Sequence, residues 1–285
     1  MLLRDRLIAR LADMGAAPDY CRLAEEVLGI RHAPPALAER LVRQALVMED
    51  RREEWRRAGE RICAAAPQTP GVYVVRDAND TALYVGKAIN LRRRLRAHFA
   101  VRRWKAMRPE MSRAAGAEWR EVGSEIEALV REAEWIGELA PIVNTQVGAP
   151  AIDTRQIPPA LVRDTLILLP SIDEDSVELL AARADGPTSF YATRRNGHDL
   201  AVHTERLWTF FRRRRAESGA RAALAPIVFS WLAGRGADAT RIDLTQVASK
   251  ADLRTRLATL VADRELFSER IVVLDSLFRH ARRRA

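Results

Sequence analysis

Cysteine is nearly missing from this chain: Cys21 and Cys63 stand far apart with no CxxC spacing, so neither a zinc site nor an iron–sulfur cluster can be built from cysteine alone. Lysine is scarce too. Only three of the 47 basic residues are lysine, at 87, 105 and 250, so positive charge is carried by arginine, whose planar fork suits phosphate better than a point charge does. No apolar run reaches the roughly 18 residues of a membrane span. Met1 to Asp5 leads into an amphipathic helix and not into a charged-then-apolar leader, so a soluble, cytoplasmic protein with no membrane contact is expected. Acidic residues are outnumbered, and the net charge of +9 with a pI near 10.4 favours a polyanionic partner, because each phosphate neutralised releases counterions. Nucleic acid is the natural choice. What the chain has is 285 residues at 48% hydrophobic content, enough to bury cores in two or three domains.

The most informative stretch runs from Gly71 to Phe99, GVYVVRDANDTALYVGKAINLRRRLRAHF. Two β-rich runs flank Asp77-Ala78-Asn79-Asp80, a polar cluster that reverses a chain, and together they predict a β-hairpin. Alternation places Tyr73 and Tyr84 on one side and Val72, Val74, Leu83 and Val85 on the other. Gly86 is expected to give a sharp exit from the second strand, and Asn90 to cap the helix that follows. At about 100° per residue, Arg94 and His98 fall beside Leu91 and Leu95, while Arg92, Arg93 and Arg96 turn outward. A second helix starts at Ser124 with Glu127 three residues later, a capping box. On it Glu127, Arg131, Glu134 and Glu138 form a polar face opposite Ile126, Leu129, Val130, Ala133 and Ile136. Glu132 lies outside that face, at the margin of the apolar stripe.

These residues resemble a GIY-YIG endonuclease domain, of the version found in the UvrC-type incision protein of bacterial nucleotide excision repair. The resemblance covers roughly residues 67–147 and rests on Gly71-Val-Tyr73, Tyr84-Val-Gly86-Lys87, Asn90-Leu91 with Arg94, the run from Glu127 to Glu132, and Pro141 to Asn144. His98 stands where excision-repair members usually carry Tyr, although other branches of the superfamily use His. The chain also lacks the cysteine cluster that follows the nuclease domain in the full-length incision protein and in its short homologue.

The resemblance implies a DNA endonuclease that cuts one strand by metal-dependent phosphodiester hydrolysis, in repair or processing, with DNA as partner and repair proteins beside it. Glu132 would hold the single Mg²⁺ or Mn²⁺, a role that suits one carboxylate completed by waters and phosphate oxygens. Arg94 would meet charge on the phosphate. Tyr73 would accept the water's proton directly or through a relay, with Lys87 lowering its pKa, and Tyr84 and His98 would orient water and phosphate. Gly71, Gly86, Asn90 and Asn144 would be structural, Asn144 tying the end of the domain to a neighbouring loop. Arg92, Arg93 and Arg96 would contact DNA. Singly, each tyrosine reads more readily as an ordinary strand aromatic and Arg94 as a solvated charge, and it is the whole constellation that favours the site. A rival reading is a DNA-binding accessory protein that keeps the fold without catalysis. A restriction or mobile-element nuclease is a more distant one.

The expected architecture is α+β, with the sheet-and-helix nuclease domain at 67–147 between two further units. Residues 1–66 show helical periodicity in Leu2 to Met14, Asp19 to Leu28 and Pro35 to Met48, suggesting a helix-turn-helix or winged-helix-like module with Arg51 to Arg57 as candidate wing. Residues 148–285 read as a second α+β domain after a proline-rich linker from Gly148 to Pro159. Strands are expected at Thr165 to Leu169, Val177 to Ala182, Ser189 to Thr193, Ile227 to Leu232 and Ile271 to Leu274, with helices at Thr204 to Arg214 and Ala251 to Leu266. The arginine runs 212–215 and 282–284 read as solvated surface or phosphate contacts.

Overall fold

Three helices open the chain: α1 (Leu3–Met14), α2 (Tyr20–Glu26) and α3 (Pro35–Ala65). The computed structural model describes residues 3–100, 103, 108–147, 157–212 and 224–267. The expected strand at 271–274, most of the 148–159 linker and the arginines at 213–215 and 282–284 lie outside them. Asp19 caps α2 by accepting from the Arg22 amide at 3.0 Å, and Leu7, Leu23, Ala24 and Val42 close a small core between the three helices. Helix α3 does not stop at Met48. It runs for 31 residues, so the expected wing at Arg51 to Arg57 is helical, its charges held in ladders such as Arg57 to Glu53. Met48, Trp55 and Ile62 recur every seven residues, a spacing that keeps them on one helix face, and that face joins the core of the next unit. Burial of each such side chain contributes about 1.5–3 kcal/mol.

That unit contains β1 (Gly71–Asp77), β2 (Ala82–Ala88), α4 (Leu91–His98), β3 (Ala114–Glu121), α5 (Glu125–Leu139) and α6 (Ile142–Val147), with an antiparallel sheet ordered β2-β1-β3. The hairpin expected from sequence is present. Asp77 turns it by accepting from the amides of Asn79 and Thr81, each at 2.9 Å. Tyr73, Val75, Leu91 and Leu95 pack with Trp55 on one face of the sheet. On the other, Val72 meets Ala128, while Val74, Ala82 and Val85 meet Trp135, Ile136 and Leu139 of α5. Leu83 departs from expectation, packing with Tyr73 and Val75 and not with Val85. A register shift between Val75 and Arg76 breaks the strict alternation there.

The C-terminal unit is built on a second antiparallel sheet, of β4 (Thr165–Pro170), β5 (Ser176–Ala182), β6 (Thr188–Arg194) and β7 (Arg241–Asp243), ordered β6-β5-β4-β7. Helices α7 (Leu200–Arg212) and α9 (Lys250–Ala262) cover one face through Leu200, Leu207, Leu253 and Leu257. The expected strand at Ile227 to Leu232 is instead part of α8 (Ala225–Leu232), with a proline in its first turn. Its buried residues, Ala225, Val228, Phe229 and Leu232, follow the 3.6-residue period, which a short continuous apolar run conceals.

The other face of this second sheet is covered by α8 and by α5 of the preceding unit. Ile126 and Val130 share a core with Ile167, Leu169, Leu180 and Phe229. The polar face expected on α5 is therefore not solvated throughout, since Glu127 is 2% exposed and Arg131 7%. The pair survives burial by bonding internally: Arg131 Nε donates to Glu127 Oε1 at 2.7 Å and the Gly123 amide donates to Glu127 Oε2 at 3.2 Å. The Arg131 guanidinium lies 4.2 Å from the centroid of the Phe190 ring of β6.

Glu178 of β5 faces the same seam, where burial and the neighbouring Glu127 charge push its carboxyl up to about 7 against the pull of Arg131 and Arg120. Unfolded, the group titrates at its ordinary value of 4.5, so between there and about 7 the folded protein holds a proton the unfolded chain has lost. Stability from this group therefore falls as pH rises through that window. Glu178→Gln, neutral throughout, should flatten the fall, with its largest gain in melting temperature above pH 7. Melting curves across that range check it, and a slope unchanged from wild type would mean that Glu178 does not titrate in the seam.

Candidate active site

Three side chains from two adjacent elements converge on the phenol of Tyr73. That residue stands in the central strand β1 with its ring fully buried, and its hydroxyl lies 2.6 Å from His98 Nε2 and 3.3 Å from Arg94 Nε, which donates to it. Tyr84, opposite Val75 on β2, brings its ring centroid to 6.0 Å from that of Tyr73 and 5.3 Å from that of His98. Both partners on α4 are placed by the helix start. Asn90 accepts from the Arg93 amide at 2.8 Å, Leu91 and Leu95 anchor the buried side, and Arg94 and His98 fall one turn apart above the hairpin. A cleft of about 230 Å³ opens here, lined among others by Trp55, Tyr84, Arg94, His98, Arg103 and Arg108.

Burial, followed by the nearby positive charges of Arg94 and Arg103, lowers His98 to about 4. At neutral pH it is an uncharged imidazole. Tyr73 moves the other way: burial first and the neighbouring Tyr84 second raise its pKa, and Arg94 opposes them without prevailing. In the Nδ1–H tautomer of the neutral imidazole, Nε2 accepts from the Tyr73 hydroxyl across this 2.6 Å contact.

Lys87 is not where the proton-transfer expectation put it. In register with Val72, it lies one residue out of phase with the Tyr73–Gly86 pair and so on the opposite face of the sheet, where its ammonium pairs with Glu132 of α5. The phenol is raised and not lowered, and the cation that bonds it is Arg94. Gly86 is not a strand exit either, because it sits inside β2. A Cβ there would come 2.8 Å from the Tyr73 hydroxyl, so only glycine lets the ring lie across the strand. Gly71 is a second close approach, where a Cβ would meet the Arg120 carbonyl at 2.5 Å. Asn144 ties down a strand and not a loop. Its Oδ1 accepts from the Val85 amide at 2.8 Å and its Nδ2 donates to the Val85 carbonyl at 2.9 Å, sealing part of the free edge of β2. Of the outward arginines, Arg92 donates to the Ala66 carbonyl at 2.6 Å, while Arg93 and Arg96 are exposed.

Glu132 is the carboxylate the sequence assigns to a metal. Its side chain is 17% exposed and pairs with Lys87, and among the described residues no group of three His, Cys, Asp or Glu could hold an ion. A single carboxylate fits Mg²⁺ or Mn²⁺, which keep waters and take phosphate oxygens, and does not fit an ion that needs an all-protein cage. Sequence reasoning passed over Trp55, a wall of the cleft contributed by α3. Its signal was present in the seven-residue spacing from Met48 to Ile62.

Residues 69–145 match the family model of the UvrC-like GIY-YIG domain. UvrABC system protein C of Kocuria rhizophila is 45% identical over 80 residues, and that of Mycobacterium tuberculosis 44% identical over 82. The matched stretch is 27% of this chain and 12% of the first protein, and 28% of this chain and 13% of the second. Among solved structures, the magnesium-bound N-terminal GIY-YIG endonuclease domain of UvrC from Thermotoga maritima is 28% identical, covering 30% of this chain and 94% of that one at a TM-score of 0.26. Residues 69–145 of this chain are therefore similar to the UvrC-like GIY-YIG domain, and Tyr73, Tyr84, Arg94 and Glu132 all lie within the matched stretch.

Proposed function

We propose that the chain is a DNA endonuclease that hydrolyses one phosphodiester bond in one strand, in a repair pathway of the nucleotide-excision type. The observation that carries this reading is the convergence of His98 and Arg94 on the buried Tyr73 hydroxyl, an arrangement that a structural tyrosine does not need. The same convergence disfavours a purely DNA-binding accessory role. A divalent cation held by Glu132 would neutralise charge on the phosphate and leaving oxygen. The remaining demands fall to the chain's own groups. Tyr73, too weak an acid to ionise alone, passes its proton to His98 Nε2 as it takes one from the attacking water, so the two act as a relay. Arg94 lies beside that oxygen and along the cleft, positioned to meet charge as it grows on the phosphate. Lys87 holds Glu132 in place across the sheet edge. The basic surface, including Arg93 and Arg96, grips the backbone.

Glu132→Gln keeps size and removes charge, so cleavage should fall about a hundredfold or more with little change in DNA affinity. Single-turnover cleavage of nicked, flapped, lesion-bearing and plain duplex DNA, with Mg²⁺ or Mn²⁺ and with chelator, measures this and tests the function itself. No cutting of any substrate with either metal would leave the accessory reading standing.

The relay makes its own demand. Tyr73→Phe should slow cleavage strongly, and the wild-type rate should drop as pH falls through about 4, where His98 gains a proton and can accept no other. His98→Gln should be slow at every pH and lack that limb. Wild-type rates in both variants across pH would make the pair a packing contact.

Arginines of α4 should separate by role. Arg94→Ala should cost far more turnover than binding, and Arg94→Lys should recover little because an ammonium cannot reproduce the fork. Arg93→Ala and Arg96→Ala should weaken affinity mildly and lower the salt slope by at most about one unit each. Affinity measured across salt, paired with single-turnover rates, reads both. Equal losses of affinity in all three alanine variants with no selective loss of cleavage would reduce α4 to a binding surface.

A further inference from the structure

Helix α5 carries Glu132 on the nuclease side and is buried on its other side in the core of the C-terminal unit. Ala128, Trp135, Ile136 and Leu139 pack on the β1–β2 sheet. Ile126 and Val130 pack on the second sheet with Ile167, Leu169, Leu180 and Phe229. The helix is a wedge between two sheets, and its rotation and height are set by both.

The polar contacts of this seam fix the setting more sharply than apolar packing can. Arg131, next in sequence to Glu132, lays its guanidinium over Phe190 of β6 and bonds Glu127, whose second oxygen holds the Gly123 amide at the start of the helix. Gly123 itself presses on the second sheet: a Cβ there would fall 1.9 Å from the Pro170 carbonyl oxygen, so backbone meets backbone with no side chain between. Glu125, in the first turn, pairs with Arg235, just beyond α8. Directional contacts of this kind have one satisfied geometry, and a buried pair that loses a partner is penalised. Helix α5 therefore cannot turn or slide without breaking them.

We propose that Arg131 is a positioning residue for Glu132, and that the C-terminal unit serves as an internal buttress which holds the metal-ligating helix in register through the Arg131–Phe190–Glu127 contact. This rests on the assignment of Glu132 as the metal ligand. Removal of the guanidinium, or of the ring on which it lies, lets α5 relax on its C-terminal side and shifts Glu132 away from the position the cation requires. The C-terminal unit acquires a role in the nuclease reaction without touching substrate.

The test uses the full chain. Mn²⁺ affinity is measured from the spin-resonance signal of the free ion, alongside single-turnover cleavage and melting temperature, for wild type, Arg131→Met, Phe190→Leu and Glu132→Gln. Arg131→Met and Phe190→Leu, on opposite sides of the seam, should each weaken Mn²⁺ binding about tenfold and slow cleavage, at a temperature well below their melting points and with DNA affinity unchanged. If Arg131→Met fails to fold, Phe190→Leu alone carries the measurement. Lowered melting temperatures with wild-type Mn²⁺ affinity would make the seam purely structural and overturn the proposal. Glu132→Gln separates the two levels. Mn²⁺ binding that survives Glu132→Gln removes the metal assignment, whereas binding lost there but intact in both seam variants removes only the buttress.

Discussion

Helix α5 has to satisfy two hydrophobic cores at once, and much of the molecule is arranged around that constraint. On one side it closes the three-stranded sheet, and on the other it covers, together with α8, a face of the four-stranded sheet. Two apolar stripes leave little room for a solvated face. The charges that separate the stripes, Glu127 and Arg131, are therefore drawn inside and must pair with each other. Glu132 escapes burial because it falls toward the end of β2, where Lys87 meets it.

A similar sharing of elements operates at the opposite face of the three-stranded sheet. The long helix α3 belongs to the N-terminal three-helix core through Ala38 and Val42, and to the core of the β1–β3 sheet through Met48, Trp55 and Ile62. Trp55 packs against Phe99 with ring centroids 5.4 Å apart, and Phe99 ends the helix that carries Arg94 and His98. The face bearing Tyr73 is thus backed by one flanking unit and the helix bearing Glu132 by the other. Burial on that backed side is what perturbs the Tyr73–His98 pair, raising the phenol and lowering the imidazole until both are neutral.

Local chemistry was legible wherever the signal was short-range. The hairpin between Gly71 and Ala88, the caps at Asn90 and Ser124, and the pairing of Arg94 with His98 on one helix face depend on neighbours within a few residues, and each appears as the pattern indicates. Errors arose where a long-range partner decided. The helix at Ala225–Leu232 looked like a strand because an apolar run of that length is buried in either form. Arg51 to Arg57 looked like a wing because their charges hid a heptad whose apolar members bury in another unit's core. Leu83 was sent to the wrong face by a register shift that no composition reveals.

The amino-acid sequence by itself determined the resemblance of residues 69–145 to the UvrC-like GIY-YIG domain, because that resemblance rests on particular side chains at particular spacings along a strand, a turn and a helix. It also determined the basic character of the surface. Only the tertiary structure decided which face Lys87 occupies, that Arg94 and His98 and not Lys87 attend the Tyr73 phenol, and that Asn144 closes the edge of β2. Only it decided that Glu127 and Arg131 are buried. Periodicity along one chain says which residues share a face. What that face meets, and so whether a charge is solvated, paired or made neutral, depends on elements brought together from distant parts of the sequence.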